Sequence, residues 1–568
     1  MKFNKKKFLT LLLTLTIFTA FSQIVNDSQL LKSTHWVCRD LSILSTEAKK
    51  ATFLDITPIS VGEIKFYLSQ FNYETLSESG KTLYDNIYNF LYGTKYSQKT
   101  KDQPASTISA NIKATPELYL NTNKEIATDI IYNYQDWPLS LPLIFAIGNN
   151  ITLEMDMFLG KNYYAAKETN SFTNIPLSGG DIEYQFPRYA YGNIGQYFDK
   201  WGFNATVGKE GFTIGNTKLG SIIYNSTFET DAYSVLSAYS EGFKYNMIFS
   251  QVTHDKFLYL HNFNFRILPN LKLGLTEGGC KKGPIELCFF DPTMIIHSYY
   301  LENNYERNNP LKKYDLGFSY CAYLGINLDY YPVENLRLYL LWAQTEFQLP
   351  SELTSKYGKM LPDGYGIQTG FDLVIPTQQK GYYTGNLEVL YTAPYLYVEQ
   401  SPDWSLINFR FDKMNQHTDV ASWIGTPYGP DTFALITSFG YKQPEKWSAN
   451  LEYLLSMKGC INADTLLEKA QSKKDPADPT LYPSYYPSVS EKLGLEDTED
   501  AIKRSRASGL TGTIQYKNSI SLSGEYYITK KLIAAAKGTY VFVFNNNHEK
   551  NNFQQGLQLK LSLTYNIF

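Results

Sequence analysis

The chain is poor in the features that organise many secreted and metal-binding proteins. Five cysteines in 568 residues are too few for a disulfide scaffold, and none has the CxxC or CxxH spacing of a zinc site. Six histidines occur (His35, His254, His261, His297, His417 and His548), with no HExxH or GxSxG motif around any of them. Neither sign of charge dominates. Lys+Arg 52 stand against Asp+Glu 55 for a net −3, so no polybasic face is available for nucleic acid. Charged residues make up 19%, below the usual ~25%. Long apolar runs are also missing. Past the N-terminus nothing approaches the ~20 apolar residues of a membrane helix, and the longest stretch, Leu139–Ile147, carries Ser140 and Pro142. These absences exclude a nucleic-acid-binding protein, a helical transporter and a cytosolic metal enzyme.

What the chain does have is aromatic residues, 15% of the total, with Tyr 47, Phe 34 and Trp 7. It also has an export signal. Lys2, Lys5, Lys6 and Lys7 precede an apolar run over residues 8–18 (FLTLLLTLTIF), and Ala20-Phe21-Ser22 sets small residues at the −3 and −1 positions of a cleavage site. The pattern predicts a signal peptide over 1–22, cut before Gln23, with no following cysteine to take a lipid. An exported chain without apolar helices is either soluble or crosses a membrane as a closed sheet, because only closure satisfies every backbone group in lipid.

The hydrophobic period changes once along the chain. Over 23–105 it is helical, with Trp36, Leu41 and Leu44 on one face and Leu83, Ile87, Phe90 and Leu91 on another. Ser60 with Glu63 three residues later has the spacing of a capping box. Three or four helices are expected here, as a periplasmic unit or plug, followed by the polar linker KYSQKTKDQP.

From 106 to 568 the period is two. Leu271, Leu273 and Leu275 alternate with Lys272, Gly274 and Thr276. Leu336, Leu338, Leu340 and Trp342 alternate with Arg337, Tyr339, Leu341 and Ala343. Leu557, Leu559, Leu561, Leu563 and Tyr565 alternate with Gln558, Lys560, Ser562 and Thr564. Segments of about ten residues, apolar on one face and polar on the other, are what an outer-membrane barrel requires. Residues 219–228 and 126–134 read as further strands. Even strand numbers in bacterial barrels favour 16 or 18. Ser240-Glu-Gly-Phe, Leu268-Pro-Asn-Leu and Pro332-Val-Glu-Asn read as tight turns, and the charged, Pro-interrupted stretch 461–508 as the largest external loop. The aromatics fit girdles at both membrane interfaces, and the chain ends on Phe568, as barrels delivered to the outer-membrane assembly machinery do. The expected fold is therefore an all-β outer-membrane barrel of 16–18 antiparallel strands with a small N-terminal helical bundle on the periplasmic side. It belongs in the outer membrane of a diderm bacterium, among lipids, as a monomer.

Strand parity turns Asn262, Asn264 and Arg266 into the lumen, together with Lys272, Arg337 and Lys560. Such a set either lines a selective channel or stiffens a wide barrel as a satisfied polar network. His261 falls on the outward parity and makes a poor base. His297 and Ser298, being adjacent, cannot pair as base and nucleophile, so no enzyme is expected, nor any metal or other cofactor. Cys280 and Cys288 flank a short KKGPIEL segment and could close a loop disulfide or stay free.

Several stretches resemble the capsule assembly protein Wzi family. His35-Trp-Val-Cys-Arg-Asp-Leu and Pro58-Ile-Ser-Val-Gly-Glu-Ile are similar to its N-terminal helical region. Tyr259-Leu-His-Asn-Phe-Asn-Phe-Arg, Asn270-Leu-Lys-Leu-Gly-Leu-Thr-Glu, Asp291-Pro292, His297 and Asn335-Leu-Arg-Leu-Tyr-Leu are similar to its barrel. The chain departs from that pattern at Asn262, where the family has Arg, and at Gln344-Thr345, where acidic residues are expected. The resemblance implies a non-enzymatic outer-membrane barrel of about 18 strands, plugged by helices, that binds or anchors capsular polysaccharide. The alternative is a porin or substrate-specific channel. For the polysaccharide reading the candidate ligand-binding aromatics are Trp404, Trp423, Tyr428, Tyr482, Tyr485 and Tyr486, any of which could instead be girdle or loop-packing residues.

Overall fold

The computed structural model describes residues 25–93, 106–126, 137–161, 171–176, 182–285, 287–295, 320–355, 362–399, 405–412, 418–462 and 509–566, with a few single positions besides. Residues 1–24, on which the expected signal peptide falls, the C-terminal Phe568, and most of 461–508 lie outside them. No helix among the described residues is long and apolar enough to cross a membrane. The chain closes instead into an antiparallel barrel of 18 strands.

The first wall strand, β1, is bent and runs in three pieces, Ser106–Ala110, Lys113–Ala114 and Glu117–Asn121. There follow β2 (Leu139–Ile147), β3 (Ile151–Lys161), β4 (Ile182–Tyr197), β5 (Trp201–Lys209), β6 (Ala232–Ser240), β7 (Phe243–Thr253), β8 (Lys256–Leu268) and β9 (Leu271–Lys282). The second half is β10 (Tyr320–Tyr330), β11 (Leu336–Glu346), β12 (Gly364–Pro376), β13 (Tyr382–Thr392), β14 (Thr432–Gln443), β15 (Trp447–Lys458), β16 (Gln515–Tyr527), β17 (Leu532–Phe544) and β18 (Gln554–Asn566). β18 pairs back onto β1, Leu559 opposite Leu120 and Tyr565 opposite Ala114, which removes both sheet edges.

Alternation sorts the side chains as the period of two predicts. Leu557, Leu561, Leu563 and Tyr565 of β18 face outward and exposed, while Gln558 between them is buried. Phe198, Trp201, Tyr383, Phe439, Trp447 and Tyr526 are exposed on the outer wall toward the end with the short turns, an aromatic girdle at one interface. That end carries the turns near 240–243, 268–271, 443–447 and 527–532, which in outer-membrane barrels is the periplasmic one.

Two wall strands were hidden in the sequence. Residues 139–147, noted in the sequence only as an apolar run, form β2 although Pro142 cannot donate to the ladder. The break between the first two pieces of β1 lies opposite this proline, and Asn111 N–H donates to the Pro142 carbonyl there. β4, with a register shift between Gln185 and Tyr189, was missed for its irregular pattern. Conversely, 219–228 is not a wall strand. It belongs to a segment, 210–231, that enters the lumen. Of 126–134, only Ile126 is described, and it is buried against Val541 and Val543 of β17.

The N-terminal unit comprises α1 (Trp36–Glu47), α2 (Val61–Leu68) and α3 (Glu78–Tyr92), with a single 3-10 turn at Tyr73–Thr75. Ser60 Oγ accepts from Glu63 N at 3.2 Å, half of the expected capping box, and Ser77 Oγ caps α3 through Gly80 N at 3.0 Å. α1 starts on His35, whose Nδ1 accepts from Val37 N at 3.3 Å. Leu41, Leu44, Ile64, Tyr67, Leu83 and Ile87 are fully buried in this unit's own core, which continues onto Val374 and Tyr382 of the wall. Burial, with Arg39 nearby, holds the His35 imidazole down to about 4, and burial pushes the Cys38 thiol up to about 12.

Candidate functional site: the occluded lumen

The helical unit sits inside the short-turn end and is fastened to many wall strands. Ala51 N–H donates to the Pro269 carbonyl in the 268–271 turn, and Ser79 Oγ donates to the carbonyls of Thr377 and Gly381 in the turn between β12 and β13. Tyr382 OH donates to Glu47 at 2.6 Å, and Lys442 of β14 pairs with Asp40. Glu63, freed from the reciprocal capping bond, takes Lys244 Nζ of β7 at 2.6 Å and Tyr67 OH at 2.6 Å, with both members of the ion pair almost wholly buried.

The inward residues predicted from parity do face inward, yet they do not line an open bore. Lys272 pairs with Asp55 of the N-terminal unit and with Asp329 of β10 at 2.7 Å, and Asn327 Nδ2 donates to the same Asp55 at 2.9 Å. Arg337 donates through Nε to Asp329 at 2.6 Å, through Nη1 to Asp372 at 2.7 Å and through Nη2 to the Asn216 carbonyl at 3.0 Å. Arg266 Nη1 donates to Gln70 of the unit at 3.0 Å. Asn262 and Asn264 bond along the wall, to Thr276 at 2.9 Å and to each other at 2.6 Å. Lys560 alone of the six lines the remaining cavity, paired with Glu117 of β1 at 2.8 Å.

Two loops complete the closure, and neither was legible in the sequence. Residues 210–231, after β5, descend until Thr213–Ile214 pairs with Ile56–Thr57 of the N-terminal unit. Glu388 of β13, fully buried, fixes this segment by accepting from Lys218 N at 2.7 Å and Leu219 N at 2.9 Å, with Gln368 and Tyr339 as further donors. Residues 393–399, 405–412 and 418–431, between β13 and β14, fold in against it. Lys256 Nζ holds them through the carbonyls of Ser405 and Ile407 at 2.7 Å, and Asn225 N–H donates to the Ile424 carbonyl at 2.8 Å. Together they bring Ile222, Ile223, Tyr224, Leu396, Tyr397 and Ile424 into an apolar core within the barrel. Gly425 permits the contact, since a β-carbon there would lie 2.4 Å from the Ile222 carbonyl oxygen.

This core corrects one reading of the loop aromatics. Trp423 is not presented to solvent; it is 5% exposed, with its ring 6.1 Å from that of Tyr397. Tyr428 packs half-buried against the same core. Trp404, Tyr482, Tyr485 and Tyr486 lie outside the described residues. The disulfide alternative for Cys280 and Cys288 is likewise not realised. The two do not bridge, because Cys280 faces the lumenal core whereas Cys288 packs with Phe249, Phe257 and Tyr259 on the outer face. His261 is outward as its parity predicted, but buried, 3.3 Å from Glu277.

Among the described residues a cavity of about 1550 Å³ remains beside the helical unit, walled by β11–β18, by β1–β4 and by residues 210–227 of the in-folded segment. No group of three or more metal-ligating side chains occurs among the described residues.

Fold and lumen together define a closed outer-membrane β-barrel filled from its N-terminus and by its own loops. The solved structure of Wzi, titled an outer-membrane protein involved in group 1 capsule assembly in Escherichia coli and a carbohydrate-binding β-barrel, matches with a TM-score of 0.56 at 11% identity, over 94% of this chain and 98% of that one. OprD from Pseudomonas aeruginosa matches with a TM-score of 0.37 at 8% identity over 81% of this chain and 94% of that one. The channel DcaP of Acinetobacter baumannii matches with a TM-score of 0.33 at 9% identity over 82% and 99%. No family model and no curated protein matches the chain.

Proposed function

We propose that this protein is a non-enzymatic barrel that binds surface polysaccharide and holds it at the cell. The observation that carries the reading is the double closure of the lumen, by the helical unit from the short-turn end and by residues 210–231 and the described parts of the loop between β13 and β14 from the other. A transport pore has no use for an apolar core across its bore, whereas a binding scaffold gains rigidity from one. The Wzi structure, a carbohydrate-binding barrel by its title, is similar over nearly the whole chain and so supports the same reading. Deletion of the gene should raise the ratio of shed to cell-bound polysaccharide while total synthesis stays constant. An unchanged ratio would remove the reading. A substrate channel is the second reading, favoured by the cavity of about 1550 Å³ beside the helical unit.

A further inference from the structure

The cavity has a mouth and an inner end. Its lining begins at the short turns, with Gln443 at the end of β14, Glu445 between β14 and β15 and Lys530 between β16 and β17, and on β15 and β18 it reaches no further than Glu452 and Lys560. Those positions lie near mid-strand. Further along β17, Ile126 is packed on Val541 and Val543. The lining of these strands thus runs from the periplasmic end to about mid-strand.

Its walls carry eight basic and nine acidic side chains, a near balance, and several of them are paired. Lys32 sits 2.5 Å from Glu210, Lys560 2.8 Å from Glu117, Lys530 3.1 Å from Glu445 and Lys537 3.4 Å from Glu452. Paired charges cancel the field that would draw in an ionic ligand. Between them lie neutral hydroxyl and amide groups on rigid strands, such as Asn450, Ser523, Ser562 and Thr564. Two aromatic stations face the same space. One is Trp36 on α1, edge-on to Phe90 at 5.4 Å; the other is Trp137, stacked on Phe158 at 3.9 Å. A pyranose ring offers an apolar C–H face to an aromatic plane and hydroxyls at its rim to amides and alcohols. A neutral, hydroxyl-rich wall with aromatic platforms suits that chemistry, and few polar groups fix such a ligand's orientation.

We infer that this cavity is a glycan-binding vestibule, taking an uncharged oligosaccharide segment from the periplasmic side. The inference rests on the reading that the protein handles glycan, and adds where and from which side. The shared chemistry admits two sources, surface polysaccharide and the glycan strands of the cell wall.

The test uses the full-length protein in detergent with two labelled probes in equilibrium dialysis. One is short oligosaccharides cut from the producing cells' surface polysaccharide; the other is cell-wall glycan fragments freed of peptide, with their lactyl carboxylates capped as amides so that the strand is uncharged, as it is where the peptide is attached. Ser523→Trp and Ser562→Trp fill the cavity from the wall without touching the helical unit, and Trp36→Ala removes a platform. The wild type is expected to bind one probe, which identifies the source, with affinity falling at least tenfold in each wall variant. Binding of neither probe, or wall variants that bind as the wild type does, overturns the vestibule. Polysaccharide shedding on deletion would still uphold the anchoring function after such a failure, so the two claims fall separately.

Discussion

At the scale of single residues, the buried ion pairs between wall and helical unit decide whether the lumen stays closed. Removing one member of a buried pair leaves the other charged and unsolvated, at a cost of about 3–5 kcal/mol. Glu63→Ala strands Lys244, whose ammonium is buried against that carboxylate. We expect faster hydrogen exchange across Val61–Leu68 in this variant, with the wall strands unchanged. Trp423 supplies the second residue-level test. As a core side chain it should cost about 3–5 kcal/mol on truncation to Ala, read as a lower unfolding temperature in detergent. Polysaccharide retention by the surviving folded protein should not change, whereas a stacking residue would give the reverse. His35 supplies a pH dependence. Its folded value of about 4 lies below the ordinary 6.5, so the unfolded unit binds the proton more tightly. The stability that neutral His35 contributes is complete above about 6.5, declines as the pH falls toward 4, and levels off below it. Amide exchange at the start of α1 should follow that course, and His35→Asn, which retains a capping side chain, should flatten it.

At the scale of elements, most of the wall was legible because lipid on one side and a polar lumen on the other impose a period of two that short sequences record. Leu271–Leu275 and Leu557–Tyr565 are such records. The helices were legible through caps and faces, Ser60 and Leu83–Ile87 among them. The in-folded loops were not. Residues 219–228 alternate well enough to pass for a strand, and what places them inside is a set of long-range bonds to Glu388, Gln368 and Tyr323 that no local pattern encodes. Nor could parity distinguish a lumenal Lys272 facing water from one facing Asp55. The one faint signal was Glu388 itself, a carboxylate at a lumenal parity position with no cation in sequence register, which the backbone N–H groups of Lys218 and Leu219 explain. Each hydrogen bond to a charged acceptor contributes about 1.5–3 kcal/mol. Glu388→Leu should therefore loosen 213–224 selectively, seen as new protease cleavage there while 36–92 stays protected. Cleavage confined to other loops would contradict the assignment.

At the scale of the whole molecule, the barrel's bore exceeds what the helical unit fills. The loops and their apolar core fill part of the rest, and the vestibule is left between them, the helical unit and the wall. The fold class and the existence of an internal unit follow from composition and period. The function does not, because a channel and a binding scaffold share the same wall and differ only in what fills it. Conductance reads that filling directly. The purified full-length protein, inserted into planar bilayers, should show no stable ohmic steps under applied voltage. A variant lacking residues 25–93 tests whether the helical unit contributes to that closure, since the loops remain. Regular porin-sized steps from the intact protein would contradict the account, for they would mean that the lumen described as closed is open.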